Sequence, residues 1–307
     1  MKGRDLGDYA IMSTLWGLSF AVVARVVHAF GWIGAASFRA LVAAGVLFGL
    51  AALTKRRLDF SVGLVPFVVI GATTVAGGQL GLMYAIPRIG TAMAAIFVGC
   101  IPLFSMVIGQ VWGIERITRW GKVGLVLGFV GIVLLVGFPA VPVTTGFIAG
   151  CVGSMSAVLA AAIGTNYAHA RLGDVGSYEI TAAAFLFGGL MILPFVLVVP
   201  IPTMPGPIDY AYLLFLGSMM SGLAYVLYFR LVARWGATKT ITSEFFVTAI
   251  AVVVGALALH EHLSWVQLVG AVVIVLGCLL VLDLLPVTSG PTLQQEDLSK
   301  LGSEPQL

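Results

Sequence analysis

Ten long stretches of this chain carry almost no charge, and no water-soluble fold can bury that many. They lie at roughly 8–27, 32–54, 61–86, 90–112, 119–138, 146–169, 175–199, 209–231, 238–259 and 264–284, bounded by charge, Pro or Gly. Each has about 20 residues or more, the length an α-helix needs to cross a hydrocarbon layer about 30 Å thick. Composition agrees: 60% of the 307 residues are hydrophobic and 9% are charged, against about 25% charged in an ordinary globular domain. The 38 glycines suit helices packed closely in lipid. The predicted fold class is an all-α integral membrane protein of ten transmembrane helices joined by short connections. Disorder, a disulfide scaffold and a soluble α/β enzyme are excluded, and little length remains for an extramembrane domain. The first stretch reads as a retained signal anchor, and the Pro/Gly/Ser-rich 286–307 as a disordered tail.

Loop charge predicts an orientation. Lys2 and Arg4 precede the first stretch; Lys55, Arg56 and Arg57 follow the second; Arg116, Arg119 and Lys122 follow the fourth. Arg171 follows the sixth, and Arg234 and Lys239 the eighth, whereas 139–145 and 200–208 hold no Lys or Arg. The positive-inside rule then places both termini in the cytoplasm, in an inner membrane. The net charge of +3 reports this asymmetry and not a nucleic-acid partner.

The chain also repeats itself. Moving 81–136 along by 146 positions lays it over 227–282, so that Arg88–Gly90 meets Arg234–Gly236 and Glu115 meets Glu261. The same shift brings Gly109 onto Gly255, Gly124 onto Gly270 and Gly131 onto Gly277. Such matches are helix ends and glycines, which chance alignment of two apolar stretches would not favour. Each half holds five stretches, an odd number, so the halves must enter the membrane from opposite faces. That is the inverted-repeat plan of secondary transporters. The predicted divisions are a cytoplasmic 1–7, a first repeat over 8–138, an external linker 139–145, a second repeat over 146–285 and the tail 286–307.

Several motifs together resemble the drug/metabolite transporter superfamily, EamA type. Trp16-Gly17-Leu18-Ser19-Phe20 lies in the first stretch and Phe38-Arg39 opens the second. Glu115 and Glu261 close the fourth and ninth, each followed by Thr118 or Ser264 and then by Gly124 or Gly270. Within that family the chain resembles most closely the YddG-like amino-acid exporters. The resemblance implies a ten-helix basket around a central cavity lined mainly by stretches 3, 4, 6, 8 and 9, working in efflux. One departure is Leu159-Ala160, where the second half lacks the Trp-Gly of the first.

No enzyme signature is present. Trp120-Gly121-Lys122 lacks the Ser/Thr of a P-loop, and His260-Glu261-His262 has its histidines two apart rather than four. Cys100, Cys151 and Cys278 are odd in number and have no metal-ligand spacing. No catalytic residue, metal or cofactor is expected.

Substrate contact is expected from polar and aromatic side chains at mid-depth: Gln79, Met83, Tyr84, Phe97, Ser156, Asn166, Tyr167, Ser221, Tyr225, Tyr228, Ser243 and Phe246. The competing reading puts the aromatics against lipid and turns the hydroxyls back onto their own helices. Gln79 leads, because a buried amide has four hydrogen-bonding capacities to satisfy. Gating is expected from Arg25, Arg39, Pro102, Glu179, Arg230, Glu244 and Glu261, with Glu179 and Glu244 clustered near Arg230 and Arg234. Arg25 and Arg39 are expected near Glu261, and Pro102 at a bend. Cations near span ends also snorkel to the interface without any gating role. With no cationic cluster expected at mid-depth, phosphorylated cargo is disfavoured. The sequence therefore predicts a monomeric exporter, in the lipid bilayer, of small amphipathic solutes such as aromatic or apolar amino acids. A channel-like facilitator and an exporter of another metabolite or drug class are the alternatives.

Overall fold

The computed structural model describes residues 3–113, 118–137, 142–199, 201–202 and 204–281. Expectations placed on Lys2, Glu115, Arg116 and 286–307 fall outside these residues, as does the side chain of Lys239. Among the described residues all regular structure is helical. Helices α1 (3–30) and α2 (32–53) are the two arms of one run, Gly3–Leu53, broken at Gly31 by φ 70° and ψ 164°. That backbone conformation is open only to glycine at low cost, which explains why the run turns there. The rest are α3 (Val65–Ile89), α4 (Thr91–Val111), α5 (Arg119–Gly137), α6 (Thr145–Arg171), α7 (Ser177–Leu197), α8 (Pro207–Trp235), α9 (Ser243–Ala258) and α10 (Trp265–Val281). A short turn, Ala237–Ile241, leads into α9.

Helix therefore occupies every one of the ten apolar stretches. Among the described residues, six continuous runs are long and apolar enough to cross a membrane: Arg4–Leu53, α3, α4, α6, α7 and α8, while α9 and α10 are shorter apolar helices. Val126, Val133, Leu257 and Val272 point outward and are more than half exposed, as a lipid-facing surface requires. Local signals start the helices. Thr144 Oγ1 accepts from Phe147 N at 3.1 Å and caps α6, and Asp209 accepts from Gly206 N at 3.0 Å beside Pro207 at the start of α8.

Glycine sets the packing. Helices α5 and α10 lie backbone to backbone: a Cβ on Gly277 would come 2.7 Å from the Gly124 carbonyl, and one on Gly131 would come 2.8 Å from that of Gly270. Gly124 and Gly131 map onto Gly270 and Gly277 under the 146-residue shift, so the seam pairs Gly124 with Gly277 and Gly131 with Gly270. Exchanging the halves reproduces both contacts, which is the signature of an isologous interface. Other features recur at nearly the same spacing. Wide π-type turns run over Gly71–Gln79 in α3 and Leu216–Leu223 in α8. Gly90 (φ 82°, ψ 164°) ends α3 and Gly236 (φ 83°, ψ 167°) ends α8.

Helices α1 and α8 are fastened at three depths. Asp5 pairs with Arg234 and Asp8 with Arg230 (3.1 Å) at one face of the bundle. Trp16 Nε1 donates to the Met220 carbonyl at 3.2 Å in the middle, and Arg25 pairs with Asp209 at 2.9 Å at the other face.

Adding one methyl group at the seam is expected to destabilise the protein. Gly131→Ala and Gly277→Ala should each cost about 1–3 kcal/mol and lower the melting temperature in detergent. Gly45→Ala, with open space around its Cβ, should melt as the parent does. Equal melting of all three would remove the seam from this account.

Candidate functional site

A cavity opens where α1, α2, α3, α4, α6, α8 and α9 converge. Its atom-free space, the part open to solvent included, is about 800 Å³. Helix periodicity builds the wall. Thr74, Gly78, Leu82 and Ile86 form a four-residue-spaced stripe on α3, and Ala157, Ala161 and Thr165 form another on α6. Trp16, Ser19, Phe20 and Val23 of α1, Arg39 of α2, Val98 and Ile101 of α4, Tyr225 and Tyr228 of α8, and Glu244 and Val247 of α9 complete it with Gln79 and Val158.

Glycines bring α3 close enough to α6 for this wall to form. A Cβ on Gly77 would come 2.8 Å from that of Ala160, and one on Gly81 would come 2.7 Å from the Gly153 carbonyl. The wide turn ending at Gln79 aims its amide across the cavity, where Nε2 donates to the Tyr225 hydroxyl at 2.6 Å. Residues 79 and 225 are themselves 146 apart, so corresponding positions of the two halves meet here. Trp16 stacks near Tyr225 and Tyr228, with ring centroids 4.9 and 5.2 Å away. Tyr228 and Thr165 share a hydrogen bond of 2.8 Å.

Several polar atoms at the cavity have no protein partner among the described residues. Thr74 Oγ1 and Gln79 Oε1 are buried without a hydrogen bond, as is Ser243 Oγ beside Glu244. Arg39, 3% exposed, uses Nε to donate to Ser221 Oγ at 2.7 Å, and no partner meets its two terminal nitrogens. Glu244 is 6% exposed, and no hydrogen bond or ion pair reaches its carboxylate. Buried polar groups are rarely left so, and a cluster of them around one space marks a place for solvent or a ligand.

Of the twelve side chains expected at the substrate, Gln79, Tyr225 and Tyr228 lie on the wall, and Ser221 and Ser243 stand next to wall residues. The others are placed elsewhere. Met83 and Phe97 are core residues, fully buried one position or more off the stripes. Ser156 turns its hydroxyl onto the Gly153 carbonyl at 2.8 Å. Asn166 Nδ2 binds the Ser105 carbonyl and hydroxyl and the Ala162 carbonyl, which stitches α6 to α4. Tyr84 lies under Arg88, 3.6 Å from ring centre to guanidinium, and against Trp32. Tyr167 is half-buried off the wall, and Phe246 is 58% exposed, packed edge-on against Tyr9. Sequence reasoning did not nominate Trp16, Thr74 or Thr165. The stripe spacing on α3 would have found Thr74.

The expected gate pairs are also replaced. Arg230 and Arg234 bond Asp8 and Asp5, because residues three apart on α1 face residues four apart on α8. Glu179 pairs instead with Arg56 at 3.3 Å, and Glu244 faces the cavity. Arg25 takes Asp209, an acid the loop reading passed over, and Arg39 takes Ser221. Glu261 turns back on the start of α4, accepting from Thr91 N at 2.7 Å, Thr91 Oγ1 at 2.8 Å and Ala92 N at 2.8 Å. Gly90, having no side chain, leaves room for that carboxylate, which favours the positive end of the helix. Pro102 sits in the first turn of Ile101–Val111, where no N–H is required. The break in α4 lies before it, at Gly99–Cys100.

Regular structure that is all helical among the described residues, with long apolar helices and an apolar exterior, makes this a multi-pass membrane protein. The sequence model of the EamA-like transporter family matches residues 9–137 and again 148–283, and the chain belongs to that family. It is 27% identical to Protein PecM of Dickeya dadantii, over 92% of this chain and 93% of the relative. It is 23% identical to an uncharacterized transporter of Archaeoglobus fulgidus, over 89% and 96%. It is 20% identical to the uncharacterized transporter YoaV of Bacillus subtilis, over 87% and 92%. A solved crystal structure shares the fold, with a TM-score of 0.69 at 14% identity over 94% of this chain and all of the other. The protein is thus a membrane transporter.

Glu261→Ala is expected to strip two backbone N–H groups and a hydroxyl of their acceptor. A loss of about 1–3 kcal/mol should appear as a lower melting temperature, with Glu261→Gln intermediate. An unchanged melt in Glu261→Ala would mean the cap contributes nothing.

Proposed function

We propose that this transporter exports small amphipathic metabolites, amino acids with aromatic or apolar side chains above all, by alternating access. The observation that carries this reading is the cavity where Trp16, Tyr225 and Tyr228 meet polar atoms that have no partner among the described residues. Aromatic faces suit an apolar side chain, and the unpaired donors and acceptors suit the polar end of the same solute.

In this reading the halves 8–138 and 146–285 are inverted five-helix repeats in an inner membrane, with cytoplasmic termini, and one chain suffices. Support comes from the α5–α10 seam, the paired π-type turns and the matching glycines Gly90 and Gly236. The hairpins α3–α4 and α8–α9 are the gates, pivoting at those two glycines. Helices α1 and α8 are fastened at both faces at once, so they move as one body and do not open between themselves.

The test is transport into proteoliposomes of labelled amino acids and unrelated metabolites. Gln79→Ala and Tyr225→Phe should each lower the initial amino-acid rate by about fivefold or more, the equivalent of one buried hydrogen bond. Tyr84→Ala, off the wall, should transport at the parental rate. Parental rates in both cavity variants, or a parent that moves no amino acid, would discard the reading.

A further inference from the structure

The two halves of the chain build part of the cavity wall from equivalent positions, and at one of them they differ in charge. Under the 146-residue shift, Val98 of α4 falls on Glu244 of α9 and Ile101 on Val247 (98 + 146 and 101 + 146), and all four line the cavity. An apolar side chain serves this place in the first half, so packing does not call for a carboxylate in the second. Glu244 is 6% exposed, and no hydrogen bond or ion pair reaches it among the described residues. Ser243 Oγ beside it is buried without a partner too. An unanswered charge in this setting is costly, whereas the protonated acid has no charge to bury.

Among the described residues no neighbour relieves that charge. Tyr9 faces Glu244 from α1, its hydroxyl sharing a hydrogen bond of 3.0 Å with Thr242, and Tyr225 and Tyr228 face it from α8. The segment of α4 packed on α9, Thr91–Val98, holds no titratable side chain. Arg39 of α2 shares the cavity wall without pairing with Glu244, and Asp8, next to Tyr9, is held by Arg230. His169 of α6 lies against Gly236 at the turn before α9, and that turn carries Lys239, whose side chain lies outside the described residues. Two things can answer such a carboxylate, a proton or the cationic end of a solute in the cavity. Each cancels the charge that attracts the other.

We propose that Glu244 couples export to protons, its carboxylate holding either one proton or the ammonium of the cargo but not both. Facing the cytoplasm, the ammonium binds and the Glu244 proton leaves to the cytoplasmic side. Facing outward, the cargo leaves and one proton is taken up from outside. The O–H bond is the only bond made or broken, and one proton enters for each amino acid exported. This deepens the amino-acid reading above and rests on it.

The experiment has two arms. The first needs no cargo: infrared difference spectra of the reconstituted protein between acid and alkaline pH should show a carboxylic-acid carbonyl band that Glu244→Gln lacks. The second uses proteoliposomes with an acidic interior, held at zero potential by potassium and valinomycin, and labelled L-phenylalanine outside. One-for-one exchange should concentrate it inside by about tenfold for each unit of pH difference. Its affinity for the parent should fall as the pH falls, because the proton takes its place. Glu244→Gln should only equalise the two sides, with an affinity that does not follow pH. Glu244→Asp should still accumulate phenylalanine, as should His169→Asn and Lys239→Gln. If Glu244→Gln fails to fold, Glu244→Val, which carries the residue of the first half, takes its place. An infrared band that survives in Glu244→Gln, accumulation that survives there, or a parent that only equalises would overturn the coupling and leave amino-acid transport standing. Accumulation lost in His169→Asn or Lys239→Gln but kept in Glu244→Gln would place the proton elsewhere and overturn it as well. A parent that shows the band but moves no phenylalanine would overturn the amino-acid reading and the exchange with it.

Discussion

Backbone meeting backbone at glycine is the contact on which the rest of this structure depends. In lipid, the hydrocarbon around a helix is as apolar as the helix itself, so burial of Leu and Val supplies little drive for association. Close approach must supply it instead, through dispersion between surfaces that fit. The α5–α10 seam does this with Gly124, Gly131, Gly270 and Gly277, and α3 meets α6 through Gly77, Gly81 and Gly153. Tight packing at those lines leaves the remaining volume where larger side chains hold helices apart. The cavity lies there, propped by Trp16, Tyr225 and Tyr228.

The same economy governs charge. The ion pairs at the two faces join groups that stay partly hydrated: Arg25, Arg56 and Arg234 are about half exposed, so each pair is worth little in stability. What the three pairs between α1 and α8 supply is register between those helices. Arg39 and Glu244 are a different case: both are buried on the cavity wall, and neither makes an ion pair among the described residues.

Much of the fold was legible in the sequence because hydropathy is a one-dimensional property. A helix falls on each of the ten apolar stretches, and the 146-residue shift aligns glycines that the structure uses. The site was legible only in part. Gln79 stood out because an amide in a glycine-rich apolar run must find partners. Asn166 has the same chemistry, yet its partners are the Ser105 carbonyl and hydroxyl across a helix interface, a distinction that depends on rotation about the helix axis. Arg39 and Glu244 read as gate residues near span ends because distance from a span terminus can be counted along the chain, whereas the direction of a side chain cannot. Partner choice failed for the same reason: Asp5, Asp8 and Asp209 reach their arginines only through the antiparallel pairing of α1 with α8.

The shared spacing of the seam and the site has a mechanical consequence. Gln79 and Tyr225 occupy equivalent positions in the two halves and bond to each other, as the seam glycines do in crossed pairs. A bond between equivalent positions lies on the axis that exchanges the halves. If the halves swap conformations about that axis, points on it move least. The Gln79–Tyr225 bond and the α5–α10 seam would then persist through the exchange while the hairpins pivoting at Gly90 and Gly236 travel furthest. A substrate held at the axis would stay in place as access changes from one side to the other, which is what alternating access requires of a fixed site.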